Sequence, residues 1–582
     1  MKLIIFHYHL QPGGVTGVIT HMVKGINKFS DIVERTCVVA GSIPETTELP
    51  ESAGPETMPT IGYITRERLA EYAVPPTEGA DGGDPTTPAS TPTPPAAPGP
   101  IPRATDTQVA AGTATLARRI AGELIQRFGG KDTVWWVHNY HIGKNPAFTK
   151  ALLDIAAAHP QQAIVLHIHD FPESGRYTNL RFLEKAGITN LYPQLPNITY
   201  VTINTRDRDI LTRAGIHSTT YLPNPIDGGD AAPTSTRTPT TTRRRLAHTF
   251  GVEFARFNPE DRLFLYPVRS IRRKNIFEAA LITMLQDTPT SLIVSLPGTS
   301  HQEKKYSSMA EHAFLDGTIP GMFGIGTNLD RADITFQDLQ HAADAIISSS
   351  VQEGFGYQYM APLQLGLPLI ARQLDTMTDV QPLFDNHPHT WYTSIRVPGS
   401  SPSLSGPYSL LRFRYEERID RLASFLPKDA LENLYRELDT VLSTETMEFS
   451  YILPHMQYVM LQDIRRDPAF RRDVQTLNAD LLKSISDTLT HAPAAQRPAR
   501  VQHGSAAQHG SAAQHGPAGQ QSVTAQERFG LAHVTALTEQ ILTTIAGATA
   551  TADATAAKSA TPAAASVLRQ FARLEFQRLL YE

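Results

Sequence analysis

Cysteine is almost missing from this chain: Cys37 is the single thiol among 582 residues. That excludes an intramolecular disulfide and a cysteine metal cluster, and it suits a reducing compartment. An excess of one charge is missing too. The 52 basic residues are set against 57 acidic ones, a formal net charge of -5, which argues against a general polyanion binder and against nucleic acid as a partner. No run approaches the roughly 20 apolar residues that span a bilayer. The apolar start at Leu3 to Phe6 meets His7 too soon to be the core of a secretory signal. These absences predict a cytoplasmic protein without a transmembrane segment and leave peripheral membrane contact open.

The length exceeds what one core serves and predicts two domains with additions. Short apolar runs alternate with helical patterns over the first 380 residues, the signature of βαβ units and a mostly parallel sheet. Strands are expected at 3–6, 35–40, 134–137, 163–168, 199–203, 263–268, 291–296, 345–348 and 368–371. Between the fifth and sixth of these, Pro223-Asn224-Pro225-Ile226-Asp227 reads as an interdomain hinge. The expected divisions are 1–223 and 224–490 as the two domains, 491–525 as a low-complexity linker and 526–582 as helices docking on them. Residues 74–105 and 228–245, crowded with Pro, Thr, Ala, Gly or Arg, read as disordered insertions. The linker repeats Gln-His-Gly from Gln502, Gln508 and Gln514; its low complexity outweighs any metal-binding reading of the histidines.

Four places could carry chemistry. The run Ser349-Ser350-Val351-Gln352-Glu353-Gly354-Phe355-Gly356 sets an acid between a buried strand and glycines that let backbone approach a ligand. Arg269, Arg272, Arg273 and Lys274 precede a helix, where stacked cations are unfavourable unless an anion offsets them. Gly13-Gly14 opens a helix after the first strand; alone, such a pair is more often a tight turn. His138-Asn139, Lys144 and the pair His169-Asp170 follow strands, and an imidazole there could orient or deprotonate an acceptor hydroxyl. The histidine spacing matches no strong zinc motif, so no metal is assigned.

In this order the blocks resemble the retaining GT-B glycosyltransferases of family 4, also called glycosyl transferase group 1. The resemblance runs from Met1 to about Thr378 outside the insertions. It implies an α/β chain with two Rossmann-like, doubly wound parallel-sheet domains facing across a cleft, the nucleoside-diphosphate sugar in the second and the acceptor in the first. It further implies that Arg269 and Lys274, with Gly13 and Gly14, serve the diphosphate, and that Glu353, Gly354, Phe355 and Gly356 serve the donor sugar. His169 and Asp170 join Glu353 as catalytic residues, and His138, Asn139 and Lys144 lie on the acceptor side. The acceptor would be a glycan, a lipid or a small molecule. Neither cofactor nor metal is implied, and in the family a phosphate oxygen of the donor takes the acceptor proton.

One departure stands out. Where the family has a second Glu eight positions after Glu353, this chain has Ala361. Losing that acceptor to the ribose typically costs about 1.5–3 kcal/mol, roughly ten- to a hundredfold in affinity. Gln364, three residues on, is the expected substitute on the same helical face. Two other readings remain at this point: a degenerate, non-catalytic nucleotide-sugar-binding relative, favoured by Ala361, and a GT-B nucleotide-sugar epimerase.

Overall fold

A computed structural model describes residues 1–73, 104–227, 237–399, 408–443, 445–490, 524–551 and 564–578. The Gln-His-Gly linker and residues 74–103 lie outside them. The chain forms two compact units, one of Met1–Ile203, Ile210–Pro225 and Val534–Val567, the other of Asn204–Asp209, Ile226–His533 and Leu568–Glu582.

The first unit is built on strands β1 (Lys2–His7), β2 (Arg35–Ala40), β3 (Glu56–Thr57), β4 (Thr133–His138), β5 (Ala163–Ile168), β6 (Ile198–Thr202) and β7 (Thr219–Tyr221). All pair in parallel, in the order β3-β2-β1-β4-β5-β6-β7. Parallel crossovers place helices on both faces, so both faces need apolar residues. Trp135 and Trp136, successive on β4, answer this by pointing to opposite sides, both fully buried. Trp135 packs with Phe6, ring centroids 5.4 Å apart, while Trp136 joins Leu3, Ile5, Ile19 and Val23. Helix Leu531–Thr551 adds Val534, Ile541, Leu542 and Ile545 to that second core.

The second unit repeats the plan with β8 (Arg262–Arg269), β9 (Thr290–Leu296), β10 (Gly321–Phe323), β11 (Ala345–Ser348), β12 (Leu369–Arg372) and β13 (His389–Tyr392). The order is β10-β9-β8-β11-β12-β13, again all parallel. Two Rossmann-like units in one chain are the make-up of the GT-B class, and each sheet reverses its strand order at one point, between β1 and β4 and between β8 and β11. Ligands of such sheets bind at the carboxyl ends beside that reversal.

Each of the nine expected strands is found within one or two residues of its predicted limits. The pattern missed the edge strands of both parallel sheets, β3, β7, β10 and β13, each two to four residues long, and the short antiparallel pair Arg396–Pro398 and Thr446–Glu448. An edge strand has one neighbour and less burial, so its apolar signal is weak.

Of the expected insertion at 228–245, residues 228–236 lie outside the described residues. Residues 237–245, assigned above to a disordered loop, include the start of helix Pro239–Phe250, whose Thr238 side chain accepts from the Thr241 N–H. The arginines that suggested disorder have fixed acceptors: Arg243 reaches the Ala342 carbonyl at 2.6 Å and Asp344 at 2.7 Å, and Arg245 reaches Asp333 at 2.9 Å. No described helix is long and apolar enough to cross a membrane.

Candidate active site

In the second unit the two loops flanking the strand-order reversal are laced together. After β8 comes the short turn Arg272–Lys274, then Asn275 in the left-handed region at φ 53° and helix Ile276–Met284. After β11 comes Ser349 to Glu353. The Ser349 hydroxyl donates to the Asn275 carbonyl at 2.9 Å, the Val351 N–H donates to the Arg273 carbonyl at 2.9 Å, and the Tyr266 and Ser350 hydroxyls are 2.8 Å apart. These bonds fix the Lys274 and Glu353 backbones relative to one another.

The Lys274 ammonium donates to Glu353 Oε1, and Arg273 Nη1 donates to Glu353 Oε2 at 3.1 Å. Gln358 completes the group, accepting from Lys274 at 3.1 Å and donating to Glu353 Oε1 at 3.2 Å. Burial alone would raise the Glu353 carboxyl, but Lys274 and then Arg273 outweigh it and hold it at about 2. Burial pulls Lys274 down to about 8 against the attraction of Glu353. Near neutrality both are charged. An ammonium has three N–H donors; two are engaged on Glu353 and Gln358, which leaves one for a ligand.

The four cations do not act alike. Arg272 is buried and donates to the Ser450 carbonyl at 3.3 Å and the Ile452 carbonyl at 3.2 Å, so it is a structural strut. The helix they precede also carries Glu278 in its first turn, buried against Arg372 at 2.7 Å. The charge conflict expected at this helix start is therefore largely settled inside the protein. Arg269, with its side chain 45% exposed, 3.3 Å from Thr299 and 3.8 Å from Glu303, is the most exposed of the four.

Among the glycines after Glu353, Gly356 is required by the fold: at φ 77°, a β-carbon would lie 2.5 Å from the Tyr359 ring. Phe355 turns inward, its ring 5.1 Å from the rings of Tyr357 and Phe529. Ala361 sits half-buried on helix Met360–Leu365, and Gln364 is exposed on it. A different amide, that of Gln358, which the sequence reading did not single out, reaches Glu353.

In the first unit, Gly13, but not Gly14, borders a concavity of about 450 Å³ with Leu10, Thr16, Gly17, Thr47 and Glu48. A β-carbon at Gly14 would meet nothing within 4 Å, and Gly13 is in extended backbone at φ 175°. The fold does not require glycine at either position, so the pair leaves room for something else.

At the ends of β4 and β5 the histidines form a row. His138 lies opposite His167 in register, its Nδ1 is 2.8 Å from His169 Nε2, and His7 Nδ1 is 3.4 Å from the His138 carbonyl. Burial is the main reason that all four imidazoles are held neutral, His7 at about 3, His169 at about 4, and His138 and His167 well below their ordinary value. Ligating nitrogens of His138, His167 and His169 lie within 4.8 Å of one another. The Trp136 indole, a donor only, donates to His167 Nδ1 at 3.1 Å. That bond puts the His167 proton on Nε2, and a protonated nitrogen offers a metal no lone pair. Within the row only His138 and His169 are hydrogen-bonded to each other, and the Nε2 atoms of His138 and His167 are buried without a hydrogen-bond partner.

Asn139 differs from its acceptor-side assignment. It is buried at φ 53°, and its Oδ1 accepts from the N–H groups of His169 at 2.8 Å and Asp170 at 3.2 Å. It positions that pair and has no open carbonyl for an acceptor. His138 is likewise fully buried. Asp170, in contrast, is 41% exposed and 3.3 Å from Arg176.

Glu173, on the loop after β5, is fully buried and accepts from the Tyr192 hydroxyl at 3.0 Å. Burial raises its carboxyl to about 7. A raised acid stabilises the fold fully below its unfolded value of 4.5, and that contribution is lost as pH rises through 7. Glu173→Gln is therefore expected to be more stable than the parent at pH 8, by about 2–3 kcal/mol, and to differ little at pH 4.5. Denaturant unfolding at the two pH values checks this; equal differences at both would show that the carboxyl is not strained by burial.

No family model matches the chain. Over 363 residues, 62% of this chain and 68% of the relative, it is 28% identical to the mannosylglucosyl-3-phosphoglycerate synthase of Petrotoga mobilis. Over 256 residues, 40% of this chain and 56% of the relative, it is 24% identical to the mannosylglucosylglycerate synthase of Thermotoga maritima. Among solved structures, Anabaena HepE in complex with UDP-glucose matches at a TM-score of 0.42 and 14% identity, covering 84% of this chain and all of that one. Sucrose-phosphate synthase of Thermosynechococcus elongatus matches at 0.42 and 12%, covering 84% and 98%. A glycosyltransferase is the class that the two-unit architecture and the synthase relatives support.

Proposed function

We propose that the protein transfers a hexose from a nucleoside-diphosphate sugar to an acceptor hydroxyl with retention of configuration, the second unit taking the donor and the first the acceptor. The observation that carries this reading is the Lys274–Glu353 pair, bridged by Gln358, at the carboxyl edge of the second sheet where its strand order reverses. The third Lys274 N–H and Arg269 hold the diphosphate and stabilise the charge that develops on the leaving group. Glu353, ionised and already oriented, has lone pairs left to accept from sugar hydroxyls, beside the backbone of Gly354 to Gly356. No metal is needed for that charge balance.

In the first unit, an imidazole held at about 4 is a poor proton acceptor, so His169 orients the acceptor hydroxyl by a hydrogen bond and the proton leaves on a donor phosphate oxygen. The names of the two relatives both describe products built from a mannosyl-glucosyl unit on glycerate, one with a 3-phosphate. An acceptor of that kind, small and anionic, is the favoured class. A cytoplasmic site of action belongs to the same reading and is supported by the single, buried cysteine.

A thermal-shift series with UDP, GDP and ADP and their common sugar conjugates, without metal and then with magnesium, tests the donor side. One nucleotide is expected to raise the melting temperature in a concentration-dependent way without metal. Ala361→Glu is expected to tighten that nucleotide by roughly ten- to a hundredfold. No shift with any nucleotide in the parent, and a shift only in Ala361→Glu, would favour the non-catalytic relative instead.

A further inference from the structure

The carboxyl edge of the first sheet carries a group of charges that donor chemistry leaves unused. His9 follows β1, Lys144 follows β4, and Asp170 and Arg176 follow β5, so the group straddles the point where this sheet reverses its strand order. We infer that Lys144 and Arg176 form a seat for the anionic end of the acceptor, a phosphate monoester or a carboxylate. This rests on the transferase reading above and adds the residues that hold the acceptor's charge.

Lys144 is held in place by its neighbours. Gly143 turns the chain at φ 73°, where a β-carbon would stand 2.9 Å from Asn179. The Ile64 N–H donates to the Lys144 carbonyl at 3.1 Å. The fully buried Asn145 donates to the carbonyls of Thr60 at 2.9 Å and Gly62 at 2.7 Å while capping helix Pro146–Ala158. Five backbone and side-chain constraints of this kind are more than a surface lysine needs for solubility.

The ammonium stands 5.0 Å from the centre of the Tyr63 ring, and the Tyr63 hydroxyl, on a residue 56% exposed, is 3.0 Å from His9 Nε2. No carboxylate lies within ion-pair distance of Lys144 among the described residues. Burial pushes its amino group below the ordinary lysine value, Arg176 pushes it further, and Asp170 only partly opposes them. Lys144 thus stands beside the Arg176–Asp170 ion pair, 3.3 Å long, with no carboxylate of its own among the described residues. A cation–π contact can hold the ammonium but cannot neutralise it; an anion would do so, and bidentate guanidinium contact suits both phosphate and carboxylate.

The probes are 3-phosphoglycerate, glycerate and neutral glycerol, followed by ligand-observed NMR and calorimetry on the full chain, with the nucleotide series run on the same samples. Binding of at least one anion and not of glycerol is expected, weakened at least tenfold in Lys144→Ala and in Arg176→Gln and retained in Lys144→Arg. Stronger binding of 3-phosphoglycerate than of glycerate assigns the seat to phosphate; equal binding assigns it to carboxylate. Unchanged anion affinity in Lys144→Ala and Arg176→Gln overturns the inference. So does a parent protein that binds a nucleotide and neither anion, and in that case the transferase reading stands. Anion binding lost in Lys144→Ala with no nucleotide binding supports the seat and removes the transferase reading alone.

Discussion

Lys274→Ala is expected to remove most of the transfer activity and to destabilise the second unit, whereas Arg269→Ala is expected to reduce activity alone. Both residues look alike in the sequence, as cations before a helix, and both would be expected at a cleft surface. In the folded unit the Lys274 side chain is 12% exposed and its partner Glu353 6%, against 45% for Arg269. Removing one member of a buried pair strands the other, at a cost of about 3–5 kcal/mol. Arg273 remains on Glu353 and keeps the loss near the lower figure. Loss of a donor aimed at developing negative charge typically costs 10²–10³-fold in kcat. The measurements are denaturant unfolding and kcat/KM with whichever nucleotide sugar proves active. In Lys274→Ala with Glu353→Gln, stability is expected to recover in part while activity does not, because the second change removes the stranded charge. Parent-like activity in Lys274→Ala would end the assignment of this pair to the donor.

Acid is expected to unfold the first unit between pH 6.5 and about 4. Five imidazoles, His7, His138, His141, His167 and His169, are buried and held neutral chiefly by burial, His7 and His141 at about 3 and His169 at about 4. A histidine depressed in this way contributes stability above its unfolded value of 6.5 that is lost as pH falls toward its folded value. Each proton taken up only on unfolding steepens the pH dependence by about 1.4 kcal/mol per unit. Glu173 acts in the opposite direction between 4.5 and 7, but it is one group against five. Glu353, held at about 2, keeps its contribution down to about pH 4.5 and loses it progressively below that. Melting temperature is thus expected to fall steeply below pH 6, with several protons bound on unfolding. A flat profile down to pH 5 would mean that the row already shares a proton in the native state.

The parallel units could be read from the chain because their central strands are buried on both faces and so are written as continuous apolar runs. Ala163 to Ile168 and Ala345 to Ser348 are found as predicted. The edges β3, β7, β10 and β13 left no such trace. At the site, Glu353 and Lys274 were legible because a glycine-bracketed acid and a cation before a helix are local signals. Gln358 and Tyr63 were not, since an amide five residues after Glu353 and a phenol 81 residues before Lys144 carry no local mark of what they face.

Residue order alone therefore determined the central strands, that they are parallel, and which residue types stand at their carboxyl ends, since those follow from hydrophobic period and from glycine and charge at strand exits. Tertiary structure decided how near-identical residues divide their roles. Arg272 became a strut, Lys274 a buried partner of Glu353 and Arg269 an exposed cation; Asn139 turned inward to hold His169 and Asp170 while Lys144 stayed at the edge beside Arg176. A side chain's charge is fixed by its chemistry, but its worth depends on burial and on partners distant in sequence, and only the folded chain supplies those.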